Sequence, residues 1–117
     1  MIKEKLRERL GVHTCDQRSS RSWIAENYPS FSMEPGFAEE DLLWSPDRRE
    51  TIEEHAVRSA ELLDDIFDGD YGDYVVLGAH QGAIMALFAA TGWKKVPVAA
   101  GTVYPLLVCR EMTPTAV

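Results

Sequence analysis

The residues best placed to do chemistry are His80, Gln81 and Gly82. They follow the apolar run Tyr74-Val75-Val76-Leu77-Gly78-Ala79 and precede Ile84, Leu87 and Phe88 at helical spacing. A short run rich in β-branched residues reads as a buried strand. A strand that stops at His80 and turns directly into a helix sets the imidazole at the carboxyl edge of a sheet. The backbone N–H groups of Gln81 and Gly82 would lie there too, at the positive end of the helix, where anions are received. The chemistry this suggests is the handling of phosphate.

Other constellations are less specific. Asp64, Asp65, Asp68, Asp70 and Asp73 form an acidic cluster, but without EF-hand spacing or its terminal glutamate, so a solvated acidic loop is expected. Cys15 and Cys109 stand alone, outside any CxxC or metal-ligand spacing, and read as reduced thiols. No metal and no cofactor is expected. Gly78-Ala79-His80-Gln81-Gly82 also has the outline of the Gly-x-Ser-x-Gly nucleophile elbow, with histidine in the serine position and no ordered Asp and His partners after it.

The elements that must position these residues are unevenly marked. Ile2, Leu6 and Leu10 share one face of a short charged helix that Gly11 would stop. From Val12 to Asp47 periodicity fades, punctuated by Pro29, Pro35 and Pro46 and scattered with aromatics. A long segment of this kind is expected to be functional or packed down by its own side chains, with helical turns at Ser22–Glu26 and Glu39–Leu43. Thr51-Ile52-Glu53-Glu54 fits a capping box and opens a helix whose stripe is Ile52, Ala56, Ala60, Leu63 and Phe67, flanked by Leu62 and Ile66 and ending at Gly69. After the Tyr74–Ala79 strand and the Gln81–Thr91 helix, a short extended piece is expected over Lys94–Ala99. A last strand, interrupted by Pro105, is expected over Thr102–Arg110, and the tail from Met112 to Val117 is expected to fray. Two strands are a poor platform for so much apolar helix surface, and a strand apolar on both faces expects neighbours on both edges.

Composition bounds the possibilities. A length of 117 residues suits one domain, and 45% hydrophobic with 26% charged residues is ordinary for a globular protein. A formal net charge of −7 with no basic stripe argues against nucleic acid as a partner. No apolar stretch reaches the ~18 residues of a membrane span, and the first residues have no signal-peptide core, so a cytoplasmic protein is expected.

Four segments, taken in order, resemble the phosphoglycerate mutase-like (histidine phosphatase) superfamily. Leu6-Arg7-Glu8-Arg9-Leu10-Gly11 looks like its acid/base segment. Arg49-Glu50-Thr51, with Glu54 and Arg58 in the helix that follows, is similar to the segment ahead of its last catalytic strand. Val75–Ile84 is similar to the strand, histidine, turn and helix that supply its second histidine, and Gly101-Thr102-Val103 to its closing strand. The run Leu6–Arg18 looks most like the fungal and yeast-type phosphomutase-like branch. The resemblance implies a three-layer α/β/α fold, here an incomplete C-terminal portion. It divides into an acid/base helix over residues 1–11, a substrate loop over 12–47, and a helix-strand-helix-strand unit over 48–110.

The resemblance also assigns roles. His80 would donate to the phosphoryl oxygens and stabilise charge in the transition state, and Glu8 would move the proton. Gln81, Gly82 and Arg9 would contact substrate, with Arg18 and Arg21 in the recognition loop. The expected ligand is a small phosphorylated metabolite, and a homodimer could cover an exposed sheet edge. The family's nucleophilic histidine lies in an Arg-His-Gly motif that this sequence does not contain. The reading implied is therefore a phosphatase or phosphomutase domain that is inactive alone. Two others stay open: a non-catalytic module binding a phosphorylated ligand or a partner, and a degenerate α/β-hydrolase fragment.

Overall fold

The computed structural model describes residues 1–93 and 95–112. Its regular structure is helical: α1 (Arg21–Asn27), α2 (Ile52–Asp68) and α3 (Gln81–Ala90), with single 3-10 turns at Glu4–Leu6 and Thr14–Asp16. α2 packs against α3 and also against the Glu4–Leu6 turn.

Local chemistry sets the ends of these helices. Thr51 caps α2 through both halves of a capping box: its hydroxyl accepts from the Glu54 N–H at 3.1 Å, and the Glu54 carboxylate accepts from the Thr51 N–H at 2.9 Å. α3 closes in a Schellman motif. Trp93 N–H donates to the Phe88 carbonyl at 2.9 Å and Gly92 N–H to that of Ala89 at 3.3 Å, while Gly92 supplies the positive φ of 68°. Between the helices, Asp70 and Gly72 both have positive φ and turn the chain out of α2.

The core lies where α2 meets α3, with Leu62, Ala83, Ala86, Leu87 and Phe88 buried. The buried face of α2 is not the apolar stripe expected from the sequence. It is His55, Arg58, Ser59 and Leu62, whereas Ile52 is 63% exposed and Phe67 41% exposed. Polar residues win that face because a carboxylate and several backbone carbonyls wait to receive Arg58, as described below.

The expected α/β class is overturned. Among the described residues there is no strand, only one isolated parallel bridge between Ile2 and Met33. Tyr74–Ala79 and Thr102–Arg110 run without ladder partners, leaving Tyr74 95%, Val76 96% and Leu107 103% exposed. β-branched composition favours a pleated, half-buried surface, but a strand exists only when a neighbour takes its backbone hydrogen bonds. No such neighbour stands among the described residues, where His80 sits at the cap of a helix and at no sheet edge. Residues 95–99 and the segment Glu39–Leu43 carry no regular structure either. Lys94 and the tail residues 113–117 lie outside the described residues.

The Ile2–Leu10 helix shrinks to the Glu4–Leu6 turn for a different reason. The carbonyls of Lys5, Arg7 and Glu8 accept from Arg58, and the Leu10 N–H donates to the Glu50 carboxylate. Tertiary partners have taken the groups a helix would have paired.

Candidate functional site

Glu8 and Gly82 meet at the N-terminus of α3. One Glu8 oxygen, Oε2, accepts from the Gly82 N–H at 2.8 Å, and the other, Oε1, from the Arg9 N–H at 2.7 Å. A carboxylate there compensates the partial positive charge of unpaired helix N–H groups. Position 82 must be glycine for this approach, because a Cβ would collide with the Glu8 carboxyl group. His80 is the N-cap residue, in extended conformation with an exposed imidazole that makes no capping bond.

Arg58 fixes the segment that carries Glu8. Its guanidinium forks onto the Glu50 carboxylate with two bonds of 2.8 Å. It also donates to the carbonyls of Lys5 at 2.8 Å, Arg7 at 3.0 Å and Glu8 at 3.1 Å. Glu50 in turn accepts from the Leu10 N–H at 3.0 Å, and its carbonyl accepts from Arg9 Nε at 2.7 Å. Both residues of the pair are buried. Burial alone would raise the Glu50 carboxyl, but Arg58 and the Leu10 amide more than offset it and hold the group below the usual carboxylate range.

His55, one turn before Arg58, is 3% exposed, and its Nε2 has no partner among the described residues. Burial, aided by the charge of Arg58, lowers its pKa, so the neutral imidazole is favoured. A cavity of about 380 Å³ borders these groups, lined by Arg9, His55, Gly82 and, on its apolar side, Met85, Phe88 and Trp93.

The structure therefore brings Glu8, Arg9 and Gly82 together, with Gln81 and His80 adjoining along the chain. Arg18 lies in a separate cluster. It pairs with Glu4 at 2.8 Å, donates to the carbonyls of Ser19, Ala38, Glu39 and Glu40, and stacks over Phe37 with its guanidinium carbon 4.3 Å from the ring centre. Arg7 grips Asp41 with two bonds, of 2.8 and 2.7 Å, in the same cluster. Burial opposes ionisation of Asp41, yet Arg7 and the N–H groups of Arg18, Leu43 and Trp44 hold its carboxyl far below the usual range. Arg21 opens α1 with an exposed side chain, and its N–H donates to the Glu39 carbonyl at 2.8 Å. No hydrogen bond links Arg18 or Arg21 to Glu8, His80 or Gly82 among the described residues.

Sequence reasoning named no role for Glu50 or Arg58 beyond their place in a family-like segment. The available signal was an arginine at the i+3 position from His55 on a helix face that also holds Ser59 and Leu62. That pattern marks a polar anchor inside an otherwise apolar interface.

Comparison with known proteins places the chain. No family model matches it, and no solved structure does. It is 44% identical over 115 residues to the probable phosphoglycerate mutase of Arthroderma benhamiae, covering 98% of this chain and 34% of that protein. It is 35% identical over 112 residues to phosphomutase-like protein 3 of Candida albicans, covering 95% of this chain and 36% of that one. With the probable phosphoglycerate mutase PMU1 of Saccharomyces cerevisiae it shares 36% identity over 98 residues, covering 74% and 33% respectively. The chain spans about a third of the length of these curated relatives. By this shared sequence, running through the Glu8 segment, the α2 anchor and the His80 turn, the chain belongs to the phosphoglycerate mutase-like family.

Proposed function

We propose that this chain supplies the proton-transfer and phosphoryl-contacting half of a site for phosphoryl transfer on a small phosphate monoester. In this reading Glu8 gives a proton to the departing oxygen and recovers one from the attacking hydroxyl or water. His80 and Arg9 neutralise charge on the phosphoryl oxygens, and the Gln81 N–H at the start of α3 completes the cradle, the Gly82 N–H being taken by Glu8. The observation that carries the reading is the meeting of Glu8 with Gly82, 74 positions apart in sequence yet joined directly beside the His80 cap. The Arg-His-Gly nucleophile is not in the sequence, so the chain binds the ester without forming a phosphohistidine.

The test is a melting experiment on the whole chain with para-nitrophenyl phosphate, run beside an assay for released nitrophenol. A ligand that binds only the folded state raises the melting temperature. The expected result is a rise with no release, diminished in Arg9→Ala and in His80→Ala. No rise at saturating millimolar ester would sink the reading. Release that His80→Ala abolishes would instead restore catalysis to the chain alone.

A further inference from the structure

We infer that Arg58 is a positioning residue for Glu8, holding its carboxylate on the N-terminus of α3; this rests on the proposed role of Glu8 but is separately testable. Three carbonyls of one short segment, those of Lys5, Arg7 and Glu8, hang on one guanidinium. The same group is anchored by Glu50, which binds the amide of Leu10 and, through its carbonyl, Arg9. The residues on either side of Glu8 are thus tied to α2, and α2 packs on α3. Glu8 reaches Gly82 because both ends of its segment are fixed to the helix that also supports α3. The segment itself has no regular structure to hold it: the Glu4–Leu6 turn ends before Glu8. The planar fork of arginine is what the arrangement needs, since it serves a carboxylate and three carbonyls at once, and an ammonium cannot present that geometry. Arg58 touches no substrate in this reading; it acts through the placement of Glu8.

The experiment follows the Gly82 amide resonance in the whole, nitrogen-15-labelled chain at neutral pH. Because Gly82 N–H donates to Glu8, its resonance should move when Glu8→Ala removes the acceptor. Arg58→Lys keeps a cation beside Glu50 but loses the fork. It is expected to keep α2 and α3 folded while the Gly82 amide moves to its Glu8→Ala position. The paired variant Glu50→Gln with Arg58→Gln, which leaves no buried charge, serves the same reading should Arg58→Lys not fold. A Gly82 amide that keeps its wild-type position in a folded variant overturns the inference, as does one indifferent to Glu8→Ala. Ester binding is measured on the same samples. A Gly82 amide that responds as expected with no ester binding leaves the positioning role standing and removes the functional reading.

Discussion

The carboxylate of Glu8 accepts the backbone N–H of Gly82, 74 positions along the chain, at 2.8 Å. It closes the N-terminus of α3 with a side chain from a segment that has no helix or strand of its own. The contact joins a candidate proton carrier to the turn that presents His80. It also makes the local preference of the helix and the needs of the site pull in opposite directions.

Gly82→Ala exposes that opposition. Along a helix alanine is favoured over glycine, which loses more backbone freedom on folding. Here the new Cβ meets the Glu8 carboxyl group, so the substitution should destabilise the chain in urea unfolding. In the Glu8→Ala background the collision is gone, so the same change should be less destabilising than in the wild-type chain. Equal effects in both backgrounds would show that the two side chains do not meet.

Arg58→Met leaves the Glu50 carboxylate buried and unpaired. Breaking a buried pair from one side costs about 3–5 kcal/mol, which approaches the whole stability of a small domain. The double change Glu50→Leu with Arg58→Met should be markedly less damaging than Arg58→Met alone. Urea midpoints of the two variants decide it, and a double variant no better than the single contradicts the pairing.

Thr51→Ala removes one half of the capping box on α2. A loss of about 1 kcal/mol is expected. Because only a helix end is affected, the urea midpoint should fall while the slope of the transition stays the same. An unchanged midpoint would mean that packing against α3 alone sustains the first turn.

Acidification should weaken the fold in two stages. His55 has a lowered pKa when folded, so below its unfolded value, near 6.5, the unfolded chain binds the extra proton and stability falls with pH. Asp41 and Glu50 are also lowered, from ordinary values of 3.8 and 4.5, so their contribution is present above those values and is lost as pH falls further. Urea midpoints measured from pH 8 to pH 3 should show both stages. His55→Phe should flatten the upper one and leave the lower; an unchanged upper stage would assign it to another group.

Much of the helical framework was legible along the chain, because its signals are local. Thr51 and Glu54 are one turn apart and cap each other whatever surrounds them. The α3 terminus likewise needs only Gly92 and its near neighbours. The placement of Gly82 at the start of α3 was also readable from the run that precedes it.

What was not legible depended on partners far away in sequence. The β-branched composition of Tyr74–Ala79 expresses a preference that only a neighbouring strand can satisfy, and none stands beside it among the described residues. The face that α2 buries was misread because Arg58 and His55 look like surface residues until Glu50 and the carbonyls of Lys5, Arg7 and Glu8 are brought to them. The sequence by itself determined which residues could cap, turn and carry charge, and, through its shared segments, the family. The tertiary structure alone decided that Glu8 meets Gly82, that Arg18 is engaged by carbonyls and Glu4, and that no sheet forms among the described residues. Caps are settled within one turn of the chain, whereas ladders and buried ion pairs need two distant segments to arrive together.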